Sequence, residues 1–247
     1  MRLTRVHVPE PLSPGRRHTI EGDAANHISR VLRLEPGDVL TVFDGRGGEY
    51  AARIEAIRKG AVIVELQERS ASSRESALAL TLAQGVSRGE RMDWVVQKAT
   101  ELGVSRIVPM LTERTVVKLD ARQAERKRAH WQGIAVAACE QSGRDRIPEV
   151  AAPIELHEFL HGIDARATRL LLSPTGTQRV KDLQAPARDG GIIVLIGPEG
   201  GLAETEQRAA LAAGFLPVRL GPRVLRTETA AVAALTLLQH QFGDLVS

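Results

Sequence analysis

Two loops near the C-terminal end of the chain contain the residues best suited to chemistry. They have the sequences IGPEGG (196–201) and LGPRVLRTETA (220–230). The apolar run before the first loop predicts a buried strand, and the segment between the loops predicts a helix over 204–214. The two loops therefore end successive strands, which is where an open α/β sheet binds its ligands. We expect a ligand between them.

The first loop favours a cationic or hydrogen-bond-donating ligand. Glycines at 197, 200 and 201 let backbone amides and carbonyls approach a flat molecule. Glu199 would repel a phosphate, and the chain has neither a G-x-G-x-x-G motif nor a glycine loop closed by Lys and Ser or Thr. A carboxylate beside backbone carbonyls suits the sulfonium and purine of S-adenosylmethionine. Taken alone, the loop also fits an ordinary tight turn.

The second loop places charges and hydroxyls where a solvent-facing linker would not need them. Arg223, Arg226, Thr227, Glu228 and Thr229 stand between a predicted strand and an alanine-rich helix. Two interpretations of Arg226 and Glu228 stay open. They act directly on a substrate, or they form an ion pair that shapes the loop.

Alternating strands and helices must position these loops. Strands are predicted at 78–83, 106–111, 169–172, 192–196 and 218–220, with helices between them, at 123–141 and at 227–242. This alternation is typical of an α/β fold with a mostly parallel sheet. Earlier in the chain, short strands at 39–43, 50–57 and 61–68 predict a small β-barrel. A polar, linker-like stretch at 68–76 separates the two parts, so we expect domains over 1–72 and 73–247.

Four further segments make a resemblance specific. They are DAANHISRVLRLEPGD (23–38), FDG (43–45), SRGERMDWVVQKATELGV (87–104) and AACEQSGRDRIPEV (137–150). Together with the two loops, they resemble the knotted SPOUT methyltransferases. The resemblance is strongest to the RsmE-type enzymes, which methylate N3 of a uridine in 16S ribosomal RNA, and it covers nearly the whole chain.

This resemblance implies a fold, a cofactor and partners. The fold is α/β, with an N-terminal PUA-like β-barrel that binds RNA (1–72) and a C-terminal SPOUT domain with a mostly parallel sheet and a trefoil knot (73–247). The cofactor is S-adenosyl-L-methionine, the substrate is 16S ribosomal RNA or the small ribosomal subunit, and the protein is a homodimer. Nothing in the periodicity of the sequence predicts the knot, because true knots are very rare among folds.

The resemblance also assigns roles to residues. Arg226 stabilises the charge that develops on the base, and Glu228 is a base or an orienting group. RNA is held by Arg5, Arg30 and Arg33 in the first domain and by Arg88 and Arg114 in the second. The expected cofactor contacts are Leu171, Leu172, Ile196, Gly197, Pro198, Glu199, Gly200, Gly201, Leu220, Gly221, Val224, Leu225, Arg226 and Thr227.

Two positions depart from the family pattern. Val6 and His7 replace the aromatic residues often seen after the N-terminal arginine, which puts the RNA contact of that strand in doubt. Ala203 stands where Ser or Thr commonly caps the helix after GPEGG, a change that costs about 1 kcal/mol of helix stability at most.

Composition narrows the class of protein. The 247 residues carry 33 Lys and Arg against 30 Asp and Glu, which permits local basic patches for RNA phosphates. No stretch approaches the roughly 20 apolar residues of a membrane span, and the N-terminus lacks the apolar core of a signal peptide. We expect a cytoplasmic protein with no membrane partner. The single cysteine fits a reducing compartment.

Three competing interpretations remain. HEFLH (157–161) has the H-E-x-x-H form of a zinc hydrolase, but the extended motif is absent, so we favour an amphipathic helix and expect no metal. Cys139 is either a nucleophile or a small packing residue, and we favour packing because no neighbouring base is evident. The chain could also be an RNA-binding ribosome-assembly factor without catalysis.

Overall fold

The computed structural model describes residues 4–70, 73–116 and 118–245. By contacts, the chain forms two compact units. The first is Met1–Glu75 with Cys139–Ile147, and the second is Ser76–Ala138 with Pro148–Ser247. Residues 71 and 72, which end the predicted first domain, lie outside the described residues, and the boundary between domains at 72 and 73 stays a prediction. The grouping of 139–147 with the first unit has no signal in the sequence.

The first unit is built around one five-stranded sheet with the order β1-β3-β4-β5-β2. Strand β1 is parallel to β3, and the other pairings are antiparallel. The elements are β1 (Arg5–His7), β2 (Arg17–Glu21), α1 (Gly22–Asn26), a π-helical turn (His27–Val31), β3 (Val39–Phe43), β4 (Glu49–Arg58) and β5 (Ala61–Arg69). The three predicted strands are confirmed, whereas β1 and β2 were not predicted.

Alternation of side chains explains how this sheet buries a core. Successive residues of a strand point to opposite faces. In β4, Tyr50, Ala52 and Ile54 are buried, and in β5 Val62 and Val64 are buried. Both strands thus turn one apolar face toward the same core.

The second unit alternates strands and helices. Its strands are β6 (Leu80–Gly85), β7 (Arg106–Leu111), β8 (Glu149–Val150), β9 (Ile154–Glu155), β10 (Thr168–Leu172), β11 (Gln178–Arg179), β12 (Ile192–Ile196) and β13 (Leu216–Arg219). Its helices are α2 (Arg91–Glu101), α3 (Ala121–Ser142, whose end is grouped with the first unit), α4 (Leu156–His161), α5 (Glu204–Ala212) and α6 (Thr227–Phe242), with a 3-10 turn at Val180–Asp182.

All pairings in the eight-stranded sheet of this unit are parallel. The strand order is β11-β13-β10-β12-β6-β7-β8, and β9 also pairs with β7. Every residue of β12 is buried, as expected for an inner strand of a parallel sheet covered on both faces. The predicted α/β fold with a mostly parallel sheet is confirmed. The trefoil knot stays a prediction.

Helix α5 begins without the side-chain cap that Ser or Thr would supply at Ala203. The Glu206 carboxylate accepts the backbone N–H of Ala203 at 2.8 Å, and it also accepts the N–H of Glu113 at 2.8 Å. The Glu206 side chain thus satisfies a backbone N–H at the start of the helix, as the glutamate of a capping box does. The helix ends as predicted, with Gly214 in the left-handed region at φ +82°.

Candidate active site

A cavity of about 490 Å³ opens at the carboxyl ends of β10, β12 and β13. This size is typical of a site for a small ligand or cofactor. It is lined by Arg91, Leu171, Leu172, Ser173, Pro174, Ile196, Gly197, Pro198, Glu199, Gly201, Leu202, Gln207, Val218, Leu220, Gly221, Arg223, Val224, Leu225, Arg226, Thr227, Glu228 and Ala230. Because β10 lies between β12 and β13 in the sheet, the loops after these strands meet at one edge.

The structure brings together the residues that the sequence assigned to a cofactor. All of them line the cavity except Gly200. The backbone carbonyl of Gly200 accepts a hydrogen bond from Arg114 Nη1 at 2.9 Å, which fixes the loop from outside the lining. Their roles in binding a cofactor remain a prediction.

Two glycines of the cavity wall need their conformational freedom. Gly201 has φ +68° and Gly221 has φ +108°, both in the region that side chains other than glycine rarely adopt. A Cβ atom at either position would meet no atom within 4 Å. The backbone is therefore open to a ligand on the side where a side chain would project.

Glu199 is held by groups at the start of α2. Its Oε1 accepts the Arg91 guanidinium at 2.7 Å and the backbone N–H of Arg88 at 3.1 Å. Partial burial acts to raise the pKa of Glu199, but a hydrogen bond from its own backbone N–H, together with those from Arg88 and Arg91, outweighs it and leaves the pKa below its ordinary value. The carboxylate is therefore ionised and fixes the glycine loop.

Arg226 and Glu228 lie on the other wall, at the start of α6. Arg226 is exposed, and no hydrogen bond or ion pair involves its side chain in the part of the chain that the structure describes. Glu228 Oε2 is buried without a hydrogen-bond partner among the same residues. No ion pair joins the two, so the interpretation of a loop-shaping pair finds no support in the geometry. An exposed arginine and a buried, unsatisfied carboxylate oxygen at a cavity wall are suited to bind a ligand.

The predicted RNA-binding arginines fall into two groups. Arg30 and Arg33 in the first unit and Arg88 and Arg114 in the second are exposed. Arg33 is the described non-glycine residue with a positive φ, at +53°. These four are placed to reach solvent and a charged partner.

Arg5, unlike these four arginines, is buried. Its side chain is only 6% exposed, it is paired with Glu49, and it donates to the Arg144 carbonyl at 2.9 Å. Its guanidinium also lies 4.8 Å from the centre of the Phe43 ring. These contacts give Arg5 a structural role in the first unit, so we leave it out of the RNA contacts proposed below.

The competing sites gain no support. His157 and His161 lie on the six-residue helix α4, and His161 Nδ1 is 2.6 Å from the His157 carbonyl. Within 4–70, 73–116 and 118–245, no group of three or more His, Cys, Asp or Glu is placed to hold a metal ion. Burial raises the pKa of Cys139 to about 12, so this thiol is a packing residue rather than a nucleophile. None of the described helices is long and apolar enough to cross a membrane.

Sequence reasoning missed part of the lining. Arg91 comes from the start of α2, far from the two loops in the sequence, and Gln207 comes from α5. Ser173 and Pro174 follow β10 directly, so the rule that ligands bind at strand ends could have found them. Arg91 carries no such signal, because its contribution depends on its ion pair with Glu199.

Two family models match the chain. Residues 74–239 match an RNA methyltransferase domain, and residues 20–67 match the PUA domain of RNA methyltransferases. The first match covers most of the second unit and both cavity loops. The predicted PUA-like N-terminal domain is thereby confirmed.

Relatives and solved structures agree with these models. The ribosomal RNA small subunit methyltransferase E of Buchnera aphidicola is 31% identical over 99% of this chain and 98% of its own. The crystal structure of the enzyme of that name from Neisseria gonorrhoeae, bound to S-adenosyl methionine, matches with 38% identity and a TM-score of 0.93, covering 99% of this chain and all of the other. A methyltransferase of Legionella pneumophila with bound cofactor SAM matches with 41% identity, the same TM-score and the same coverage.

Proposed function

Because this chain belongs to the ribosomal RNA small subunit methyltransferase E family, we propose that it transfers the methyl group of S-adenosylmethionine to N3 of a uridine in 16S ribosomal RNA. The observation that carries the proposal is the cavity at the ends of β10, β12 and β13. It combines an apolar wall, an open glycine backbone and unsatisfied charged groups in one place.

The residues of the cavity fit the proposed cofactor. The volume of about 490 Å³ accommodates a nucleoside-sized molecule. Leu171, Ile196 and Leu220 offer apolar contacts for a purine, and the open backbone at Gly201 and Gly221 offers hydrogen-bonding groups. The buried, unpartnered Glu228 Oε2 would accept a hydrogen bond or face a positive charge.

The bound cofactor supplies an electrophilic methyl group. Uridine N3 carries an imide proton and becomes nucleophilic only when that proton is lost or the resulting anion is stabilised. Arg226 lines the cavity with an exposed, unpartnered guanidinium, so it can donate to the base oxygens on which this negative charge develops. It is the positive group that the reaction needs.

Glu228 would take or direct the N3 proton. Its Oε2 lacks a partner among the described residues and its side chain lines the cavity, so it is free to accept a hydrogen bond from the base. Glu199 is unsuited to this task, because Arg91 and the Arg88 N–H already engage its Oε1 and hold its pKa below the ordinary value after offsetting partial burial.

The RNA substrate would meet exposed arginines in each unit. Arg30 and Arg33 lie at and just after the π-helical turn of the PUA domain, and Arg88 and Arg114 lie near the glycine loop of the methyltransferase domain. Contacts of arginine with phosphates give an affinity that falls with salt. The substrate is either free 16S ribosomal RNA or the small ribosomal subunit.

We further infer a homodimer that works in the cytoplasm. Helices α2 and α6 pack together, and each leaves a large apolar side chain more than 40% exposed, Trp94 and Leu237. Exposed apolar groups of this kind are suited to an interface between subunits. Sedimentation equilibrium would separate the monomer, 26.8 kDa, from a species of twice that mass.

The decisive experiment is methyl transfer from labelled S-adenosylmethionine to purified, unmodified small ribosomal subunits, with the nucleoside product identified by mass spectrometry. We expect N3-methyluridine. Another methylated nucleoside would overturn the proposed target and keep the cofactor. Tight RNA binding without transfer would instead support an assembly factor.

A further inference from the structure

Gln84, at the carboxyl end of β6, is a buried polar residue outside the cavity lining. Its side chain is fully buried, and it lies directly across from Ile196, the last residue of β12, in the parallel pairing. The next residue, Gly85, lies so close to the glycine loop that a Cβ atom there would be 2.3 Å from the backbone nitrogen of Pro198. Gln84 therefore lies directly behind the loop that forms one wall of the cavity.

A chain of hydrogen bonds starts at Gln84 and joins the two cavity loops. Gln84 Nε2 donates to Thr227 Oγ1 at 2.8 Å, and Thr227 Oγ1 donates to the Gly197 carbonyl at 2.7 Å. Thr227 begins α6 after the second loop, and Gly197 begins the first loop. A single hydroxyl thus ties one wall of the cavity to the other.

The direction of these bonds is fixed by their acceptors. The Gly197 carbonyl can only accept, so the one hydroxyl proton of Thr227 points toward it. Thr227 Oγ1 can then accept only from a donor, which is the amide nitrogen of Gln84. That nitrogen also donates to the Gly85 carbonyl at 3.1 Å. A 180° rotation of the Gln84 amide would place Oε1 against two oxygen atoms, which fixes the orientation of the amide.

This arrangement costs stability. Gln84 Oε1 is buried without a hydrogen-bond partner among the described residues. Burying an unsatisfied polar atom is unfavourable, so the orphaned oxygen offsets part of what the two hydrogen bonds of Nε2 contribute to stability.

We propose that Gln84 is a positioning residue for the methyl donor: it orients the Thr227 hydroxyl, which holds the Gly197 carbonyl and sets the spacing of the two loops that enclose the cofactor. The inference rests on the proposed function, because it takes the cavity to hold S-adenosylmethionine. Gln84 touches neither cofactor nor RNA, and it acts through Thr227. Loss of its bond leaves the Thr227 side chain held by the Gly197 carbonyl alone and loosens the preformed cavity, which weakens binding of the cofactor.

A second buried glutamine provides a matched control. Gln239 in α6 is 1% exposed, but both ends of its amide are satisfied, since Nε2 donates to the Leu102 carbonyl at 3.0 Å and Oε1 accepts from Ser76 Oγ at 2.8 Å. It does not line the cavity. Replacing it removes two satisfied bonds without touching the cavity loops.

The test compares Gln84→Met with Gln239→Met in two measurements. These are the Kd for S-adenosylmethionine by titration calorimetry and the melting temperature without ligand. We expect Gln84→Met to raise the Kd roughly tenfold, the effect of about one lost hydrogen bond, and to lower the melting temperature less than Gln239→Met does, because it also removes a buried oxygen that has no partner among the described residues. Gln239→Met should lower the melting temperature and leave the Kd unchanged.

Thr227 variants and kinetics complete the test. Thr227→Ser keeps the hydroxyl and should bind the cofactor nearly as the wild type does, whereas Gln84→Met added to Thr227→Val should weaken binding no further than Thr227→Val alone. In methyl transfer, Gln84→Met should raise the KM for the cofactor and change kcat by less than about twofold.

The outcomes that overturn the inference differ from those that overturn the function. A Gln84→Met protein that binds the cofactor like the wild type, or that melts early or fails to fold, makes Gln84 a structural residue. Wild-type protein that does not bind S-adenosylmethionine at all overturns the proposed function itself.

Discussion

Arginine and glutamate occur together in both units, but in opposite states. In the first unit, the side chains of Arg5 and Arg144 are each 6% exposed and are paired with Glu49 and Glu75. At the cavity of the second unit, Arg226 is exposed and unpartnered and Glu228 has a buried, unsatisfied oxygen, as far as the described residues go. The contrast teaches that a buried and paired charge supports the fold, whereas an exposed arginine and an orphaned carboxylate oxygen at a cavity wall are available to a ligand.

The satisfied pair shows how much support a buried charge needs. Glu75 accepts the Arg144 guanidinium at 2.6 Å and the backbone N–H groups of Asp145 and Arg146 at 3.2 and 3.1 Å. Removing two charges from water is costly unless such additional hydrogen bonds are made. Among the described residues, no side chain or backbone group pairs with the Arg226 guanidinium, so this group is available to bind a ligand.

The largest effect is expected at Glu228. Glu228→Gln keeps the shape of the side chain but removes its ability to take a proton, so methyl transfer should fall by roughly 10²–10⁴-fold, the usual contribution of a general base. Single-turnover transfer to unmodified small subunits measures this rate. The Kd for S-adenosylmethionine reports whether the cavity is intact. A Glu228→Gln variant with wild-type turnover would show that Glu228 has a structural role and no role in proton transfer.

Arg226→Ala should cost about 10²–10³-fold in kcat, because it removes a donor aimed at developing negative charge. The matched control is Arg208→Ala, an exposed arginine of α5 that lies outside the cavity lining. The same transfer assay should show no change for the control. Full turnover by Arg226→Ala would remove this residue from the mechanism.

In the first unit, the same kind of change should affect folding rather than chemistry. Glu75→Ala removes the carboxylate that pairs with the buried Arg144 guanidinium, and the free energy of unfolding should fall by about 3–5 kcal/mol, measured by urea unfolding. The control is Asp164→Ala, which removes an exposed ion pair with Arg166. This substitution should leave the free energy of unfolding nearly unchanged. The contrast between the units would fail if Glu75→Ala were as stable as this control.

Much of this arrangement could be predicted from the sequence. Strands β3, β7 and β12 and helix α6 have the predicted bounds, because continuous or alternating apolar residues and clear turn signals define them. The part of the cavity lining that lies in the loops 196–201 and 220–230 could be predicted, because these loops follow predicted strands. The position of Arg91 could not, since it depends on an ion pair formed over more than one hundred residues of sequence.

The sequence also could not predict which charged residues are buried and paired and which are exposed without a partner. Arg5 and Arg226 are the same residue type, and both stand beside polar or charged neighbours in the sequence. Only the packing of residues distant in the chain distinguishes them, namely Glu49 and the Arg144 carbonyl around Arg5. Burial of a charge is a property of tertiary contacts, which single-sequence patterns do not contain.

Replacing an exposed arginine of the first unit should have a smaller effect, which is confined to RNA binding. Arg30→Ala should weaken binding to small-subunit RNA several-fold and reduce the slope of log affinity against log salt by about one, because one phosphate contact is lost. Arg17→Ala is the control, since Arg17 is exposed but already paired with Glu55. Equal losses in both variants, or an affinity indifferent to salt, would count against the proposed RNA surface. The Kd for S-adenosylmethionine should not change.

The smallest effect is expected at Asp145, a buried carboxyl next to the pair of Glu75 and Arg144. It is 5% exposed, and its Oδ1 has no partner among the described residues. Burial, with the neighbouring charge of Glu75, raises the pKa of Asp145 above its ordinary value. The folded state therefore holds the proton of the Asp145 carboxyl more tightly than the unfolded state does. The free energy of unfolding accordingly falls as the pH rises from about 4, the ordinary pKa of aspartate.

Asp145→Asn removes that titration while keeping the shape of the side chain. The variant should be slightly more stable than the wild type at pH 7, and the difference should shrink as the pH falls toward about 4 and below, where the wild-type carboxyl becomes protonated in both states. Urea unfolding at a series of pH values measures it. A variant less stable than the wild type at pH 7 would show that the Asp145 carboxylate is satisfied after all, and that this carboxylate supports the fold as Glu75 does. If the gain appears, the contrast between the units becomes one of degree, because an unsatisfied charge can also be tolerated where no ligand binds.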